Sequence, residues 1–397
     1  MKILMVNKFL FPKGGSETYI FKLGAQLQKL GHEVQYFGME HEGRCVSNHA
    51  EQYTKDMDFH TTSTLTKLTY PLKTVYSTEA KKKMLTVLND FQPDIVHLNN
   101  FNYQLTPSII YAVKSYEKKT GKRVKMVYTA HDYQLVCPEH LMLNNNSEVC
   151  EKCLSGSYIN CIKGSCIHGS RLKSIVGAAE GKLYRTLKTY KYIDCVICPS
   201  EFLKTKLDCN PDLKGKTTVL RNFTESIEKS KTQKQGYVLY FGRYEREKGI
   251  ETLIKADSIP FVFAGSGEYE EQINSCSHIK NVGYKTGKEL ETLIRQAVCS
   301  VAPSTCYENC PFSVMESIMY GTPVVGADIG GIPELISDGE TGFLFESGNV
   351  EALSAAIRKI TDNRELAEKM SDACLNFSFD TVEEYTDKLL QIYCSEK

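Results

Sequence analysis

Two cationic side chains in the second half of the sequence have the type and spacing that bind a phosphorylated ligand. Arg243 follows a short apolar run, and Lys248 stands just before Gly249, where a helical pattern opens. Two cations beside the N-terminus of a helix form a suitable binding site for a diphosphate. Because Glu245 and Glu247 stand between Arg243 and Lys248, a set of solvated surface charges is the alternative interpretation.

Two carboxylates, Glu308 and Glu316, lie eight residues apart on either side of Pro311. Pro311 suits the first turn of a helix, so we expect Glu308 in the preceding loop and Glu316 about a turn and a half inside the helix. A carboxylate can accept two hydrogen bonds from a vicinal diol, and backbone N–H groups at a helix start can hold a phosphate. The pair therefore predicts a site for a ribose or pyranose beside a phosphate, and an ordinary helical position for Glu316 is the alternative.

A cluster of cysteines forms a second group with possible chemistry. Its spacing is Cys150-x2-Cys153-x7-Cys161-x4-Cys166. Paired thiolates at such spacings suit tetrahedral zinc, and the surrounding segment 144–170 lacks apolar periodicity. The sequence predicts one structural zinc ion held by these four cysteines, with unliganded thiols as the alternative.

Short apolar runs alternate with helical patterns along the whole chain, which is typical of βαβ units. We predict strands at 2–7, 34–37, 94–98, 125–129, 194–198, 237–241, 261–264, 300–303 and 323–327. A polar segment at 224–235 divides the two series. The expected fold is therefore α/β, with two tandem Rossmann-like, doubly wound domains that face a cleft.

The predicted domains follow from this division. The first covers residues 1–200 and carries a cysteine-rich insertion at 137–170, and the second covers 201–378. An amphipathic helix within 379–397 ends the chain and could pack back on the first domain. Ligands of such domains bind beyond the carboxyl ends of the strands.

Composition and charge limit the class of protein. The 397 residues are 42% hydrophobic and 24% charged, which is typical of a globular chain. No apolar run approaches the roughly 18 residues of a membrane span, and the first residues are charged too early for a signal peptide. We therefore expect a cytoplasmic protein.

The net charge of zero hides a difference between the two halves. Residues 1–200 carry 26 basic and 17 acidic side chains, whereas residues 201–397 carry 22 and 31. A basic half favours an anionic partner, either lipid headgroups or nucleic acid. No RNA-binding motif accompanies its lysines, so we do not expect a nucleic-acid-binding protein.

The segment 171–191 concentrates this positive charge. Its basic residues are Arg171, Lys173, Lys182, Arg185, Lys188 and Lys191, against the single acidic Glu180. Its apolar residues at helical spacing are Leu172, Ile175, Val176, Leu183 and Leu187. This pattern predicts a helix lying in the headgroup plane of an anionic membrane, and the alternative is a helix whose apolar stripe packs on its own domain.

The order of the motifs closely resembles the retaining GT-B-fold glycosyltransferases of the E-x7-E group, of the group 1 or family 4 type. The second-half matches are Gly242-Arg243-x4-Lys248-Gly249, Glu308-x7-Glu316, Gly321-Thr322-Pro323 and Gly330-Gly331-Ile332-Pro333-Glu334. The first-half matches are Gly14-Gly15, His131-Asp132 and Pro199-Ser200-Glu201-Phe202. Many members have Gly-Phe-Gly after the first glutamate, where this chain has Asn309-Cys310-Pro311-Phe312-Ser313, so the resemblance keeps the two-glutamate spacing but does not define the sugar contacts.

The resemblance implies a role for each matching residue. Arg243 and Lys248 would neutralise the donor diphosphate, Glu316 would hold the ribose hydroxyls, Glu308 would contact the transferred sugar, and His131 would line the sugar site. Further donor-site or phosphate-site residues would be Gly14, Gly15, Gly242, Gly265, Tyr284, Pro311, Phe312 and Ser313.

The implied activity is transfer of a sugar, with retention and without a metal cofactor, from a UDP- or GDP-sugar. The implied acceptor is a glycan or a polyprenyl-diphosphate-linked glycan of surface polysaccharide biosynthesis, at the inner face of a membrane. A nucleotide-sugar 2-epimerase is the main alternative, because it also uses two such domains. An NAD-dependent oxidoreductase is disfavoured, because no G-x-G-x-x-G motif follows the first strand.

Overall fold

The structure, a computed structural model, describes residues 1–55 and 73–395. Within these residues the chain forms two six-stranded parallel sheets, each in its own compact unit. The first unit comprises Met1–Asn145, Cys150–Arg221 and the chain from Val382 onward, and the second comprises Asn146–Val149 and Asn222–Thr381. The first unit thus continues past residue 200, the boundary expected from the sequence.

The first sheet has the order β2-β1-β3-β4-β5-β6. Its strands are β1 (Lys2–Val6), β2 (Glu33–Phe37), β3 (Ile95–Leu98), β4 (Lys125–Thr129), β5 (Cys195–Cys198) and β6 (Thr217–Val219). The helices of this part are α1 (Gly15–Lys29), α2 (Thr78–Phe91), α3 (Ser108–Thr120), α4 (Ile159–Gly164), α5 (Arg171–Thr186) and α6 (Glu201–Leu207). Pairing of β6 with β5 explains why residues up to Arg221 belong to this unit.

The second sheet has the order β12-β11-β10-β7-β8-β9. Its strands are β7 (Val238–Arg243), β8 (Phe261–Ser266), β9 (Ile279–Asn281), β10 (Cys299–Ala302), β11 (Val324–Ala327) and β12 (Gly342–Phe345). The helices of this part are α7 (Ile250–Lys255), α8 (Glu270–Ser275), α9 (Gly287–Gln296), α10 (Phe312–Met319), α11 (Val350–Thr361) and α12 (Arg364–Asn376). The predicted α/β class with two doubly wound sheets is confirmed.

The order of the second sheet determines where its ligand site can lie. Strand β7 pairs with β8 on one side and with β10 on the other. The chain therefore leaves β7 in one direction and returns to its opposite side at β10. The loops after these two strands diverge at such a reversal and open a crevice at the carboxyl edge of the sheet.

The last helix, α13 (Val382–Cys394), is held in the first unit by buried polar contacts. The hydroxyls of Tyr385 and Tyr19 lie 2.7 Å apart, and the Tyr393 hydroxyl lies 2.5 Å from Nδ1 of His97. The Lys125 ammonium donates to three backbone carbonyls at the end of the chain, at 2.5 to 3.2 Å. A cation at the C-terminal end of a helix satisfies carbonyls that lack helical partners.

Helix α5 turns an apolar face away from its own unit. The residues that it buries are small or are tyrosine, namely Ser174, Gly177, Ala178 and Tyr184. The exposed fractions of its large apolar side chains are 69% for Leu172, 42% for Ile175 and 40% for Leu183, and Leu187, the C-cap residue, is 53% exposed. The interpretation in which this stripe packs on its own domain is therefore wrong for these four residues, whereas Val176, the fifth residue of the predicted stripe, is half-buried. No helix of the described residues is both long enough and apolar enough to cross a bilayer.

Glu180, the acidic residue of α5, lies among tyrosines inside the first unit. Its charge contributes to raising the pKa values of Tyr103, Tyr184 and Tyr190, after the larger effect of their burial. Burial raises the pKa of Glu180 itself to about 8. Glu180 is therefore mainly protonated in the folded protein at neutral pH.

We predict that Glu180→Gln stabilises the protein at alkaline pH. A glutamate in the unfolded chain has a pKa of about 4.3, so the folded state binds the extra proton between that pH and about pH 8. Stability falls with rising pH wherever the folded state binds more protons. The variant should melt a few degrees above the wild type at about pH 8, with little difference near pH 4.5, which is close to the unfolded pKa. Thermal melts across this range test the prediction, and the exposed Glu42→Gln serves as control. A constant difference between variant and wild type would contradict it.

Candidate active site

Lys248 and Glu308 form an ion pair in the second unit. The distance from Lys248 Nζ to Glu308 Oε1 is 2.6 Å, and Ser304 Oγ donates to the same oxygen at 2.8 Å. The two charged side chains are 23% and 16% exposed. The structure thus brings together two residues that the sequence analysis singled out and that lie 60 positions apart.

The strand order of the second sheet explains why Lys248 and Glu308 are in contact. Lys248 ends a 3₁₀ turn, Arg246–Lys248, that follows β7, and Glu308 lies in the loop that follows β10. Since β7 and β10 are neighbours, their loops emerge side by side. The backbone N–H of Thr305 donates to the carbonyl of Glu247 at 2.9 Å and joins the two loops directly.

Gly249 sets the distance between these loops. Its φ is +75°, and a Cβ atom at this position would lie 1.9 Å from the carbonyl oxygen of Pro303. Both the positive φ and the close approach therefore require glycine. The residue that follows Lys248 is thus packed against the loop that carries Glu308.

The Gly330–Gly331 turn holds Glu308 from the other side. The N–H of Gly331 donates to the carbonyl of Glu308 at 2.6 Å. Gly330 has a φ of +62°, and a Cβ there would lie 2.5 Å from the same carbonyl oxygen. The backbone of Glu308 is consequently fixed by a motif that lies more than twenty residues downstream.

Electrostatics keep both members of the pair charged. Burial, the largest single effect, would raise the pKa of Glu308, but the Lys248 charge and the hydrogen bonds from Lys248 and Ser304 together hold it below the usual range. Burial would likewise lower the pKa of Lys248, and the Glu308 carboxylate raises it instead. The charge of Arg243 further lowers the pKa of Glu308. The pair therefore stays ionised at neutral pH.

Arg243 lies at the end of β7 and is more accessible. Its Nη1 lies 2.5 Å from Glu245 Oε2, and its side chain is 59% exposed. Burial, followed by a hydrogen bond to Glu247, raises the pKa of Glu245 to about 7. The two cations of the sequence motif thus each have a carboxylate partner in this structure.

Gly242 and Gly265 are explained by packing between strands. Gly242 has a φ of +148°, and a Cβ on Gly265 would lie 1.9 Å from the Gly242 carbonyl oxygen. The two strand ends can therefore approach closely only with glycine at position 265. Close backbone approach here accounts for Gly265 without a ligand.

The start of α10 places backbone N–H groups near the second glutamate. Pro311 is the N-cap residue, Phe312 and Ser313 form the first turn, and Glu316 is the fifth residue of the helix. First-turn N–H groups lack acceptors within a helix. The side chain of Phe312 is anchored against Phe223, with ring centroids 6.5 Å apart.

Tyr284 lies in the loop after β9 and is 73% exposed. It follows Gly283, whose φ is +72°. The Gly283 carbonyl accepts a hydrogen bond from the N–H of Gly265 at 3.1 Å, which joins this loop to the end of β8. The ring therefore stands at the same edge of the sheet as the end of β8.

The predicted residues of the first unit lie at the carboxyl edge of its sheet. His131, after β4, has its Nε2 2.9 Å from Asn99 Oδ1, and its ring lies 5.1 Å from the ring of Tyr19. Burial lowers the pKa of His131 to about 4, so the ring is neutral at physiological pH. Gly14 is the N-cap of α1 and Gly15 begins it. The φ of Gly14 is −167°, an extended conformation that any residue can adopt.

Two contributors were not singled out from the sequence. Ser304 binds the carboxylate of Glu308, and Asn99 binds His131. Glu245, which stands beside the cations in the sequence, pairs with Arg243. Position was the available signal, since Ser304 and Asn99 each directly follow a predicted strand, at the carboxyl edge where ligands bind.

The structure does not support the predicted zinc site at the cysteine cluster, within the described residues. Cys153 and Cys161 are 6% and 1% exposed. They belong to an apolar cluster with Tyr158, Ile167 and Ala178. Burial, followed by the charge of nearby thiols, raises the pKa of Cys153 to about 11 and that of Cys161 to about 12.

Over residues 1–55 and 73–395, no three His, Cys, Asp or Glu side chains are grouped to hold a metal ion. A structural zinc on Cys150, Cys153, Cys161 and Cys166 is therefore not supported. Apolar packing gives this insertion the cohesion that the sequence analysis assigned to a metal.

Comparison with known proteins identifies the two halves separately. The family described as Glycosyl transferases group 1 matches residues 222–375, and Glycosyltransferase Family 4 matches residues 13–225. The Anabaena protein Alr3699/HepE, solved in complex with UDP and glucose, has a similar fold, with a TM-score of 0.67 and 16% identity over 99% of each chain. This likeness confirms the predicted GT-B fold class.

Two relatives are similar in sequence. An uncharacterized glycosyltransferase of Methanocaldococcus jannaschii, MJ1178, is 28% identical over 224 residues, which are 53% of this chain and 62% of the relative. The match thus spans less than two thirds of that relative's length. An uncharacterized 42.6 kDa protein in the cps region of Klebsiella pneumoniae is 24% identical over 84% of this chain and 87% of its own. Because the Glycosyltransferase Family 4 match covers more than half of the 397 residues, the chain belongs to glycosyltransferase family 4.

Proposed function

We propose that this protein transfers a sugar, with retention of anomeric configuration, from a nucleotide-diphosphate sugar to a glycan or lipid-linked acceptor. The observation that carries the proposal is the Lys248–Glu308 pair, held beside Arg243 where the second sheet reverses its strand order. A fixed cation in a partly buried crevice is suited to a polyanionic group. The E-x7-E spacing of Glu308 and Glu316 adds two carboxylates for hydroxyl groups.

Lys248 would act on the leaving diphosphate. Cleavage of the sugar–phosphate bond leaves positive charge on the anomeric carbon and negative charge on the phosphate oxygens. A cation already oriented toward that position stabilises the developing charge without reorganisation, which is often the largest contribution to catalysis. Glu308 and Ser304 supply that orientation, and Arg243 adds a second, more exposed positive charge at the strand end.

The remaining groups would bind the donor. Glu308 would accept hydrogen bonds from the transferred sugar, and Glu316 would accept them from the ribose. The N–H groups of Phe312 and Ser313 would donate to a phosphate oxygen. Tyr284, with its large exposed fraction, would stack on the base.

The first unit would contribute the acceptor side. His131 is neutral, and its Nε2 donates to Asn99 Oδ1, so its Nδ1 would be the nitrogen that accepts a hydrogen bond from a sugar hydroxyl. Gly14 and Gly15 would allow a phosphate or acceptor to approach the start of α1. In this proposal the leaving phosphate takes the acceptor's proton, and no metal cofactor is needed.

UDP or GDP carries the sugar in this proposal, and UDP is favoured by the fold relative that was solved with UDP and glucose. The cps-region relative favours a role in surface polysaccharide biosynthesis, with a glycan or polyprenyl-diphosphate-linked glycan as acceptor. Such acceptors are made at the inner face of the cytoplasmic membrane, where we expect the protein to work.

Nucleotide binding and transfer test the proposal together. We expect UDP or GDP to raise the melting temperature of the wild type, and Glu316→Ala to weaken nucleotide binding by about 10-fold or more through the lost ribose contacts. The exposed Glu271→Ala should bind as the wild type does. With the matching nucleotide sugar and EDTA present, the protein should release nucleoside diphosphate in proportion to glycosylated acceptor.

Two results would contradict the proposal. Conversion of the free nucleotide sugar to its 2-epimer, without an acceptor, would favour the epimerase alternative. Wild-type nucleotide affinity in Glu316→Ala would remove Glu316 from the donor site.

A further inference from the structure

The exposed face of α5 is apolar along its whole length. Leu172, Ile175, Ala179 and Leu183 follow one another at intervals of three or four residues, and Leu187 continues the series at the C-cap. Side chains at these intervals align along one face of a helix. We call the four large exposed side chains, Leu172, Ile175, Leu183 and Leu187, the α5 stripe. Exposed apolar side chains that are contiguous mark an interaction surface.

Positive charge borders the α5 stripe on both sides. On a helical wheel Arg171 and Lys182 lie on one side and Lys173 on the other, and all three are exposed. Exposed Lys188 and Lys191 continue the charge just beyond the helix. The only acidic residue of α5, Glu180, lies on the Lys173 side of the stripe on the same wheel, but it is half-buried near Tyr103 and Tyr190.

We propose that the α5 stripe inserts into the headgroup region of an anionic membrane, with α5 parallel to the surface. An amphipathic helix of this type places its apolar side chains at the boundary with the acyl chains and its cations among lipid phosphates. The positive charges beside the α5 stripe determine which partner can bind there. A second copy of this chain, docked on the same surface, would place like charges against one another, whereas anionic lipid complements them.

Both parts of the surface contribute to the affinity. Each cation near an anionic surface strengthens binding by about fivefold, and each leucine that leaves water adds a similar or larger factor. The interaction should weaken steeply with salt because exposed charges are screened within about 10 Å at 0.1 M ionic strength. Membrane binding by this surface does not depend on sugar transfer. The vesicle experiment can therefore contradict membrane binding without contradicting the proposed transfer, and the transfer assay can fail without affecting membrane binding.

Co-sedimentation of the full chain with lipid vesicles tests the inference. The protein should pellet with vesicles of phosphatidylcholine and phosphatidylglycerol at low salt, and remain in the supernatant with phosphatidylcholine alone. Leu172→Ser with Leu183→Ser should reduce binding by about 10-fold or more. Lys173→Glu with Lys182→Glu should reduce it by about 25-fold or more. Because these four side chains are exposed, the variants should fold normally.

Matched substitutions elsewhere on the first unit serve as controls. Leu30→Ser removes a leucine that is 46% exposed, and Lys118→Glu with Lys119→Glu reverses two exposed lysines of α3. These controls, and Lys248→Ala, should pellet as the wild type does. The inference is overturned if the wild type ignores anionic vesicles at low salt, or if stripe variants bind as well as the controls. It is also overturned if light scattering shows a wild-type dimer that the leucine pair dissociates while vesicle binding is unchanged.

Discussion

Lys248→Ala should lower the turnover number for sugar transfer by about 10²-fold or more. The lost ammonium acts mainly as the leaving diphosphate gains charge, so the effect on turnover should exceed the effect on affinity for the free nucleotide. Steady-state transfer assays and calorimetric titration with the nucleotide separate the two quantities. Lys255→Ala, at an exposed position in the last turn of α7, is the matched control.

Because Lys248 is paired with Glu308, its removal should change stability as well as turnover, and the two effects must be measured separately. Removal of Lys248 leaves the Glu308 carboxylate without its cation in a partly buried place, which should cost about 1–3 kcal/mol of unfolding free energy. Adding Glu308→Gln should recover part of that stability, because the remaining group is neutral. It should not recover turnover. Turnover near the wild-type value in Lys248→Ala would refute the proposed role, whatever its stability.

Gly249→Ala should cost about 3 kcal/mol or more of unfolding free energy. Its left-handed φ of +75° alone costs an alanine about 1 kcal/mol, and the new Cβ would also lie 1.9 Å from the Pro303 carbonyl oxygen. The chain must shift to relieve that overlap, and the shift moves Lys248 away from Glu308. Urea denaturation measures the loss of stability, and transfer by the remaining folded protein should fall with it.

Gly236→Ala is the matched control for this change. Gly236 also belongs to the second unit and has nearly the same φ, +73°, but nothing lies within 4 Å of the position of its Cβ. It should therefore lose only the backbone contribution of about 1 kcal/mol. Equal losses at both positions would show that the contact with Pro303 is unimportant.

Strands at the centre of each sheet could be predicted from sequence, whereas several at the edges could not. The apolar run of β1 is predictable because Ile3 and Val6 lie in a strand whose two faces are both covered. No strand is predicted at β6, β9 or β12, each of which lies at the edge of its sheet. Residues of β6 are only half-buried, so no apolar run marks them.

The candidate active site was also predictable from sequence only in part. The sequence identified Lys248, Glu308 and Glu316 as chemically suitable from residue type and spacing. The sequence left open whether Lys248 pairs with a carboxylate or is solvated. Its contact with Glu308, 60 residues away, forms only because β7 and β10 are neighbouring strands. The pairing of Arg243 with Glu245 follows from the same strand end.

The surface of α5 and the cysteine insertion were decided by tertiary packing alone. The periodicity of 171–187 shows an apolar stripe but not its direction, and the stripe faces solvent because the opposite face, with Ser174, Gly177 and Ala178, is small enough to pack closely. Cysteine spacing does not show how deeply the thiols are buried, and here Cys153 and Cys161 pack in an apolar cluster with Tyr158. The sequence by itself thus determined the α/β class, the central strands and the reactive residue types. Tertiary structure decided which charges pair, which helix face is exposed and how the thiols are used, because these depend on neighbours that are distant in the chain.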